Sequence, residues 1–164
     1  MADKLINCTV NGIKRTYCVD VRSSLMEMLR LQAGLHSVKN GCDVGECGAC
    51  TVLIDNLPFN SCIYLAIWAE GKSIRTLEGL TDATGTISDI QQAFIDEGAV
   101  QCGFCTPGFI MASIPLIESD TEASREEIRR QIAGNLCRCT GYVKIVDAIE
   151  KTQKKRIAEK QKHP

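Results

Sequence analysis

Residues 41–50, GCDVGECGAC, contain the pattern that most constrains how this chain can fold. Three cysteines, Cys42, Cys47 and Cys50, follow the spacing C-x4-C-x2-C, and glycines are interleaved among them. Because glycine accepts positive φ angles without steric cost, the backbone here can fold closely around a bound group and direct several amides toward it. A helix or a strand could not do this. The pattern therefore predicts a loop that wraps around a metal group held by thiolates.

The spacing of these cysteines is the one that holds a [2Fe-2S] cluster in plant-type ferredoxins, where a more distant cysteine completes the ligand set. Cys62 is the predicted fourth ligand for a geometric reason. Residues 51–54 read as a strand, Asp55-Asn56 as a two-residue turn, and the chain from residue 57 as the returning strand. Cys50 then falls opposite Ser61, and Cys62 returns beside Cys50.

Composition limits the class of protein. The chain has 164 residues with 19 basic and 20 acidic side chains, which is typical of a soluble globular protein of one or two small domains and favours neither nucleic acid nor membrane as a partner. Residues 1–25 lack the pattern of an export signal, and the longest apolar run, residues 63–69, is too short to span a bilayer. We expect a cytoplasmic protein. In that reducing compartment, metal binding explains ten cysteines better than disulfides do.

The N-terminal residues predict a β-hairpin. Two runs of strand-forming residues, 5–10 and 13–19, flank the turn Asn11-Gly12. In the resulting register, Cys8 and Cys18 point to opposite faces of the hairpin, because side chains alternate along a strand. They cannot bond to each other, and we interpret both as ordinary strand residues and not as metal ligands.

Further elements complete a small first domain. Ser24 and Glu27 form a capping box that opens a helix. Residues 63–69 are apolar on all sides and are expected to be buried, whereas residues 72–77 alternate like an edge strand. Together with the two hairpins and the cysteine loop, these elements predict that residues 1–80 form a β-grasp plant-type [2Fe-2S] ferredoxin domain.

From residue 81 to residue 164, apolar residues recur at helical spacing instead of alternating, which predicts an all-α domain of four short helices. Pro107 suits the first turn of the second helix, and Pro115 should kink or end that helix. Two serines and two threonines each precede a helical stretch, which is the position of an N-cap. The predicted N-caps are Ser88, Thr106, Ser124 and Thr140.

The second domain carries its own set of cysteines in the loops between helices. Cys102 and Cys105 lie just before a helix start, where free amides and the helix dipole favour thiolate charge. Cys137 and Cys139 follow the third helix. Either pair alone is weak evidence, since zinc sites use similar spacings. Two sets of four cysteines in one small chain, one of them with ferredoxin spacing, favour two iron–sulfur centres.

Three motifs resemble those of the small iron–sulfur subunits of molybdenum hydroxylases, the xanthine dehydrogenase family. The likeness covers roughly residues 4–150, and the stretch 37–79 most resembles bacterial xanthine dehydrogenase small subunits. The motifs are Gly-Cys-x4-Cys-Gly-x-Cys-Thr-Val, Gln-Cys-Gly-Phe-Cys-Thr-Pro-Gly and Gly-Asn-Leu-Cys-Arg-Cys-Thr-Gly-Tyr, which begin at residues 41, 101 and 134.

The resemblance implies a fold, cofactors and partners. It implies a plant-type [2Fe-2S] domain followed by a four-helix [2Fe-2S] domain, a large subunit that binds the molybdopterin cofactor, and a medium subunit that binds FAD. The helical-domain cluster would then face the molybdenum site, and the cluster at Cys42 would face the flavin. Gln101 and Cys139 match family positions that approach the pterin. From the residues alone, Gln101 could also be a local loop cap.

The remaining residues agree with a relay function. The chain contains no G-x-G-x-x-G loop and no acid–base or nucleophile constellation, so substrate chemistry is expected in the partners. Two other functions stay open: a stand-alone two-cluster ferredoxin, and a structural protein folded around zinc. The lysine-rich residues 151–162 fit either a solvated helix end or a contact with an acidic partner.

Overall fold

Five strands form the sheet of the N-terminal half in the computed structural model, which describes residues 2–119 and 121–162. The strand order across the sheet is β2-β1-β5-β3-β4. β1 and β2 form one antiparallel hairpin, and β3 and β4 form another. The strands are β1 (Asp3–Val10), β2 (Ile13–Asp20), β3 (Thr51–Ile54), β4 (Leu57–Asn60) and β5 (Ser73–Arg75).

Both hairpins have the predicted registers. Val10 pairs with Ile13, and the two turn residues Asn11 and Gly12 have positive φ, as a two-residue hairpin turn of this type requires. Ile54 pairs with Leu57 across a turn of the same kind. Side-chain alternation then has the expected consequence for the hairpin cysteines: Cys8 is buried, and Cys18 is exposed.

Two predictions for the N-terminal half are wrong. β5 lies at the centre of the sheet and not at an edge, because it pairs in parallel with β1 and antiparallel with β3. The apolar run 63–69 is only partly buried: Ile63 is 60% exposed and Trp68 54% exposed. Its last four residues form a short 3-10 helix, Ala66–Ala69, which turns its two alanines inward, packs Ile67 partly against the first core and leaves Trp68 exposed.

A short helix covers one face of the sheet. The predicted capping box at Ser24 and Glu27 is present and opens α1 (Leu25–Glu27), which continues as a π-helical turn, Met28–Gln32. Leu25 and Leu29 are fully buried against apolar side chains of β1, β2 and β3. The N-terminal half thus has its own core.

The C-terminal half is helical, with α2 (Asp89–Asp96), α3 (Thr106–Ile117), α4 (Arg125–Gln131) and α5 (Val143–Lys162). Capping boxes begin α2 at Ser88 and α4 at Ser124, as predicted. A second apolar core lies among these helices, and Leu53 of β3 belongs to it. Among the described residues, no helix combines the length and apolar character needed to cross a bilayer.

Three helix boundaries differ from the predictions. Thr106 lies inside α3, whose N-cap is Cys105. Of the two alternatives predicted for Pro115, a kink or an end, the second is wrong, because α3 continues to Ile117 and its last turn is buried in the second core. The last helix begins at Val143 and runs for 20 residues, so it is not short and Thr140 does not cap it.

Candidate metal centres

The first cysteine loop brings its four predicted ligands together in two pairs. The thiols of Cys42 and Cys47 lie close enough to shift each other's pKa, and Cys50 lies close enough to Cys62 to raise the pKa of the Cys62 thiol. Cys50 is placed by the start of β3, and Cys62 returns beside it because the Ser61 N–H donates to the Cys50 carbonyl at 3.3 Å. The register of the second hairpin therefore closes this site.

Backbone amides of the loop point at the first thiol. The N–H groups of Val44, Cys47 and Glu46 favour the thiolate and lower the pKa of Cys42 to about 7, and the Glu46 N–H lies 3.3 Å from its Sγ. Burial and the neighbouring Cys50 act in the opposite direction at Cys62, whose pKa is raised to about 12. Four crowded thiols cannot all ionise unless a positive charge joins them, so this donor set fits a cationic metal group.

The loop is too tight for larger residues at its glycines. A Cβ at Gly41 would lie 2.9 Å from the Cys47 Sγ, and one at Gly45 would lie 2.8 Å from the Ile63 Cδ1. The Asn60 side-chain amide holds the loop from within its own domain by donating to the Gly45 carbonyl at 2.7 Å. At Gly45 the φ of +81° favours glycine more than the contact with the exposed Ile63 side chain does, whereas at Gly41 the close approach of the Cys47 sulfur is the reason.

The second set of cysteines is also paired. The sulfurs of Cys102 and Cys139 lie 3.7 Å apart, and Cys105 contacts Cys137. Burial, followed by the neighbouring Cys137, raises the pKa of Cys105 to about 12. The loop before α3 and the loop before α5 thus meet at one point, where they form the second candidate site.

Thr140 and Tyr142 support Cys137, although the sequence pattern does not mark either of them as a site residue. Thr140 donates to the Cys137 Sγ from its hydroxyl at 3.1 Å and from its N–H at 3.4 Å. Although burial opposes ionisation, these bonds lower the pKa of Cys137 to about 7. The Tyr142 hydroxyl accepts the Cys137 N–H at 3.0 Å. Their position directly after the C-x-C motif is the one feature of the sequence that indicates a role beside the cysteines.

The structure thus brings the eight predicted ligands together as four pairs and leaves the hairpin cysteines apart. Cys8 lies in the first core, where burial raises its pKa to about 11. Because the eight predicted ligands lie two by two, no group of three or more His, Cys, Asp or Glu side chains in the part of the chain that the structure describes is arranged to hold a single metal ion. Gln101 and Cys139, the predicted pterin contacts, are both exposed.

The two candidate sites are in direct backbone contact. The Leu136 N–H, one residue before Cys137, donates to the carbonyl of Cys47 at 2.9 Å. Beside it, the buried Asn135 amide donates to the carbonyl of Gly48 at 2.8 Å. Contacts between loops so distant in sequence could not be inferred from spacing.

The chain matches two family models. Residues 8–63 match a 2Fe-2S iron–sulfur cluster binding domain, and residues 76–150 match a [2Fe-2S] binding domain. The fold, with a mixed sheet followed by helices, agrees with this order. The class is therefore defined: the chain is a protein of two [2Fe-2S]-binding domains.

Known relatives narrow the class. The xanthine dehydrogenase iron–sulfur-binding subunit of Escherichia coli O157:H7 is 54% identical over 153 residues, which cover 90% of this chain and 95% of that protein. Quinoline 2-oxidoreductase from Pseudomonas putida 86 contains a chain with a TM-score of 0.90 and 41% identity, and the match covers 96% of this chain and 97% of that one. The aldehyde oxidoreductase of Desulfovibrio desulfuricans ATCC 27774 has the same TM-score at 40% identity, but the match covers 95% of this chain and only 17% of that one.

The chain belongs to the family of iron–sulfur subunits of xanthine dehydrogenase and related molybdenum hydroxylases. The resemblance seen in its motifs is confirmed. It is an electron-transfer subunit of a heteromeric oxidoreductase.

Proposed function

We propose that this chain relays electrons from a molybdopterin-binding large subunit to an FAD-binding medium subunit through two [2Fe-2S] centres. The observation that carries the proposal is the pairing of eight thiols in two sets whose loops share the hydrogen bond from Leu136 to Cys47. The proposed ligands are Cys42, Cys47, Cys50 and Cys62 at the first centre, and Cys102, Cys105, Cys137 and Cys139 at the second.

Each thiol set fits one such centre. A [2Fe-2S] cluster is held by four cysteine thiolates, and it carries single electrons. Other residues of the chain supply hydrogen bonds to the cysteine sulfurs. The loop amides around Cys42 and the hydroxyl of Thr140 donate toward sulfur and so stabilise negative charge there, which tunes the two sites separately.

We also propose the division of the chain and its orientation in the complex. Residues 1–80 form the β-grasp ferredoxin domain and residues 81–164 the four-helix domain. The helical site faces the molybdenum-binding subunit, with Gln101 and Cys139 near the pterin, and the Cys42 site faces the flavin. Exposure supports contact at the helical site, since Gln101, Cys102 and Cys139 all reach the surface.

The substrate we propose is a purine or a related nitrogen heterocycle. Two of the three similar proteins described above are named for xanthine and quinoline, which contain ring nitrogen, whereas the third, an aldehyde oxidoreductase, matches over only 17% of its chain. The pocket for the substrate would belong to the large subunit. We place the complex in the cytoplasm, where a reducing environment keeps the ten cysteines out of disulfide bonds.

The proposal is tested by producing the chain together with candidate molybdenum and flavin subunits. We expect a stable heteromer, a red-brown colour, about four irons per copy of this chain, and two distinct paramagnetic signals after reduction. Assays with a panel of purines and quinoline then identify the substrate. A chain that stays monomeric beside its candidate partners would be a stand-alone ferredoxin, and a colourless zinc-containing product would contradict the relay altogether.

A further inference from the structure

Asn135 is a buried polar residue at the contact between the two cysteine loops. It follows α4, immediately before Leu136 and Cys137, and only 6% of it is exposed. Its Nδ2 donates to the Gly48 carbonyl at 2.8 Å and lies 3.3 Å from the Thr51 Oγ1. One side chain of the helical half therefore bonds both to the cysteine loop and to the first residue of β3, and burying its amide without these acceptors would be costly.

The backbones around this amide approach as closely as glycine allows. A Cβ on Gly48 would lie 2.5 Å from both the Asn135 Nδ2 and the Gly134 carbonyl. A Cβ on Gly108, in the first turn of α3, would lie 2.3 Å from the Gly48 carbonyl. The loop that carries Cys47 and Cys50 is thus enclosed by the second domain, and Asn135 supplies the bonds that hold it there.

The same contact contains a short covalent and hydrogen-bonded connection between the two thiol sets. From Cys137 the path passes to Leu136, across its N–H to the Cys47 carbonyl at 2.9 Å, and into Cys47. Electron tunnelling decays faster across a gap than along bonded atoms. Any displacement that lengthens this hydrogen bond would therefore slow transfer between the sites.

We infer that Asn135 is a positioning residue of the relay: its amide clamps the Cys47–Cys50 loop against the second domain and so maintains the Leu136–Cys47 hydrogen bond. The electron-transfer part of this inference rests on the proposed function. The clamp itself is a property of the folded chain and can be measured separately.

Asn60 provides a matched control. Its Nδ2 donates to the Gly45 carbonyl at 2.7 Å, so it also holds a glycine carbonyl of the same loop, but from within the first domain. The variants Asn135→Asp and Asn60→Asp each exchange one amide donor for an acceptor of similar size. Only the first breaks a contact between the domains.

Two measurements on the full chain, purified with its partner subunits, compare these variants. In Asn135→Asp, we expect the Leu136 amide to exchange with deuterium about tenfold faster, as loss of the supporting hydrogen bond predicts. We also expect the magnetic interaction between the two reduced centres to weaken or disappear. In Asn60→Asp, changes should be confined to the signal of the first centre, with Leu136 exchange as in the unaltered chain.

Unchanged Leu136 exchange and unchanged magnetic interaction in a fully loaded Asn135→Asp variant would overturn the inference. If that variant loses iron, Asn135→Ser removes the amide without adding charge. If Asn135→Asp and Asn135→Ser both lose iron from both sites while Asn60→Asp keeps its iron, the result supports a clamp on both loops. If the two Asn135 variants lose iron from the helical site alone, the result contradicts the clamp. If the unaltered chain holds no [2Fe-2S] centre, the proposed function fails, and the exchange comparison still decides the clamp.

Discussion

Thr140 differs from its expected role in a way that affects the chemistry of the second site. The sequence places it where a helix cap would be, but α5 begins three residues later, and the hydroxyl donates to the Cys137 Sγ at 3.1 Å instead. A hydrogen bond to sulfur stabilises negative charge on that atom. In a metal centre it therefore stabilises the reduced form and raises the reduction potential.

Substituting Thr140→Val removes this hydroxyl while nearly keeping the shape of the side chain. We expect the potential of the helical-domain centre to fall by roughly 40 mV, the one-electron equivalent of a hydrogen bond worth about 1 kcal/mol. The potential of the Cys42 centre should not move. Redox titration followed by paramagnetic resonance measures both values. Thr140→Ser keeps the donor and should behave as the unaltered chain does; a fall of the same size in that variant would show that packing, not the hydrogen bond, sets the potential.

At the level of residues, spacing along the chain predicted the candidate ligands but not the groups that support them. C-x4-C-x2-C and the hairpin register were sufficient to choose Cys62, because both are local. Thr140, Tyr142 and Asn135 act through contacts whose geometry depends on how loops fold and meet. No pattern within a short window of sequence contains that information.

Gly108 shows a constraint that belongs to a whole element. It lies in the first turn of α3, and its hydrogen faces the Gly48 carbonyl, so this helix can pack against the first cysteine loop only without a side chain at that point. The helical propensity of glycine is poor, and its presence inside a helix calls for such a reason.

The substitution Gly108→Ala should therefore separate α3 from the loop. A Cβ 2.3 Å from a carbonyl oxygen forces the backbone to shift, and overpacking of this kind typically costs about 1–3 kcal/mol. We expect a lower midpoint of thermal unfolding and weaker retention of iron. Gly134→Ala is the control, because a Cβ there meets nothing within 4 Å. Equal stability of the two variants would show that the close approach at Gly108 does not affect the free energy of unfolding.

The pairing of α2 with α5 rests partly on charge. Arg156 of α5 donates through its Nε at 2.6 Å and its Nη2 at 2.5 Å to the Asp89 carboxylate of α2, and this pairing holds the pKa of Asp89 below its usual range. Other bases of the tail also face carboxylates of the chain: Lys151 meets Glu97 and Lys154 meets Glu150. The run of lysines in residues 151–162 thus takes part in packing the helix.

Asp89→Asn should lower the stability of the folded chain by about 1–2 kcal/mol, since it removes a bidentate, half-buried ion pair. A group with a lowered folded-state pKa contributes its stability above its ordinary value, about 3.9, and loses it as the pH falls through the lowered value. The difference between the variants should therefore be constant from about pH 8 to about pH 5. Thermal unfolding across that range measures it. Arg130→Gln, at an exposed pair with Glu126 away from Asp89, should change little, and a difference that shrinks already near pH 6 would contradict the assignment.

The sequence predicts the registers of the two hairpins better than it predicts the position of β5 or the burial of residues 63–69. Both hairpin registers follow from their two-residue turns, so they were confirmed. The central place of β5 depends on pairing with β1, more than 60 residues earlier, and a three-residue strand has no pattern that distinguishes an edge from a centre. For the run 63–69, apolar character alone suggested burial, but a short 3-10 helix has too little inward surface for all of it.

As a whole, the molecule consists of two apolar cores joined where the cysteine loops meet. The first core lies under the sheet, and the second lies among the helices and takes in Leu53 from β3. An ion pair from Arg75 of β5 to Glu118, at the other end of α3, also joins the two halves at 2.8 Å. The junction therefore places the two candidate centres side by side, whereas a flexible linker would leave their separation undefined.

Because the ten cysteines divide into two sets of four and a hairpin pair, substitution of single cysteines tests this organisation. Cys62→Ser should reduce the iron content from about four to about two per chain and remove one paramagnetic signal, since each centre needs four thiolates. Cys18→Ser, at an exposed strand position, and Cys8→Ala, in the first core, should keep about four irons, although Cys8→Ala leaves a small cavity and lowers the unfolding temperature. Loss of a centre in either hairpin variant would mean that the hairpin contributes a ligand, and an unchanged signal in Cys62→Ser would mean that another residue completes the first site.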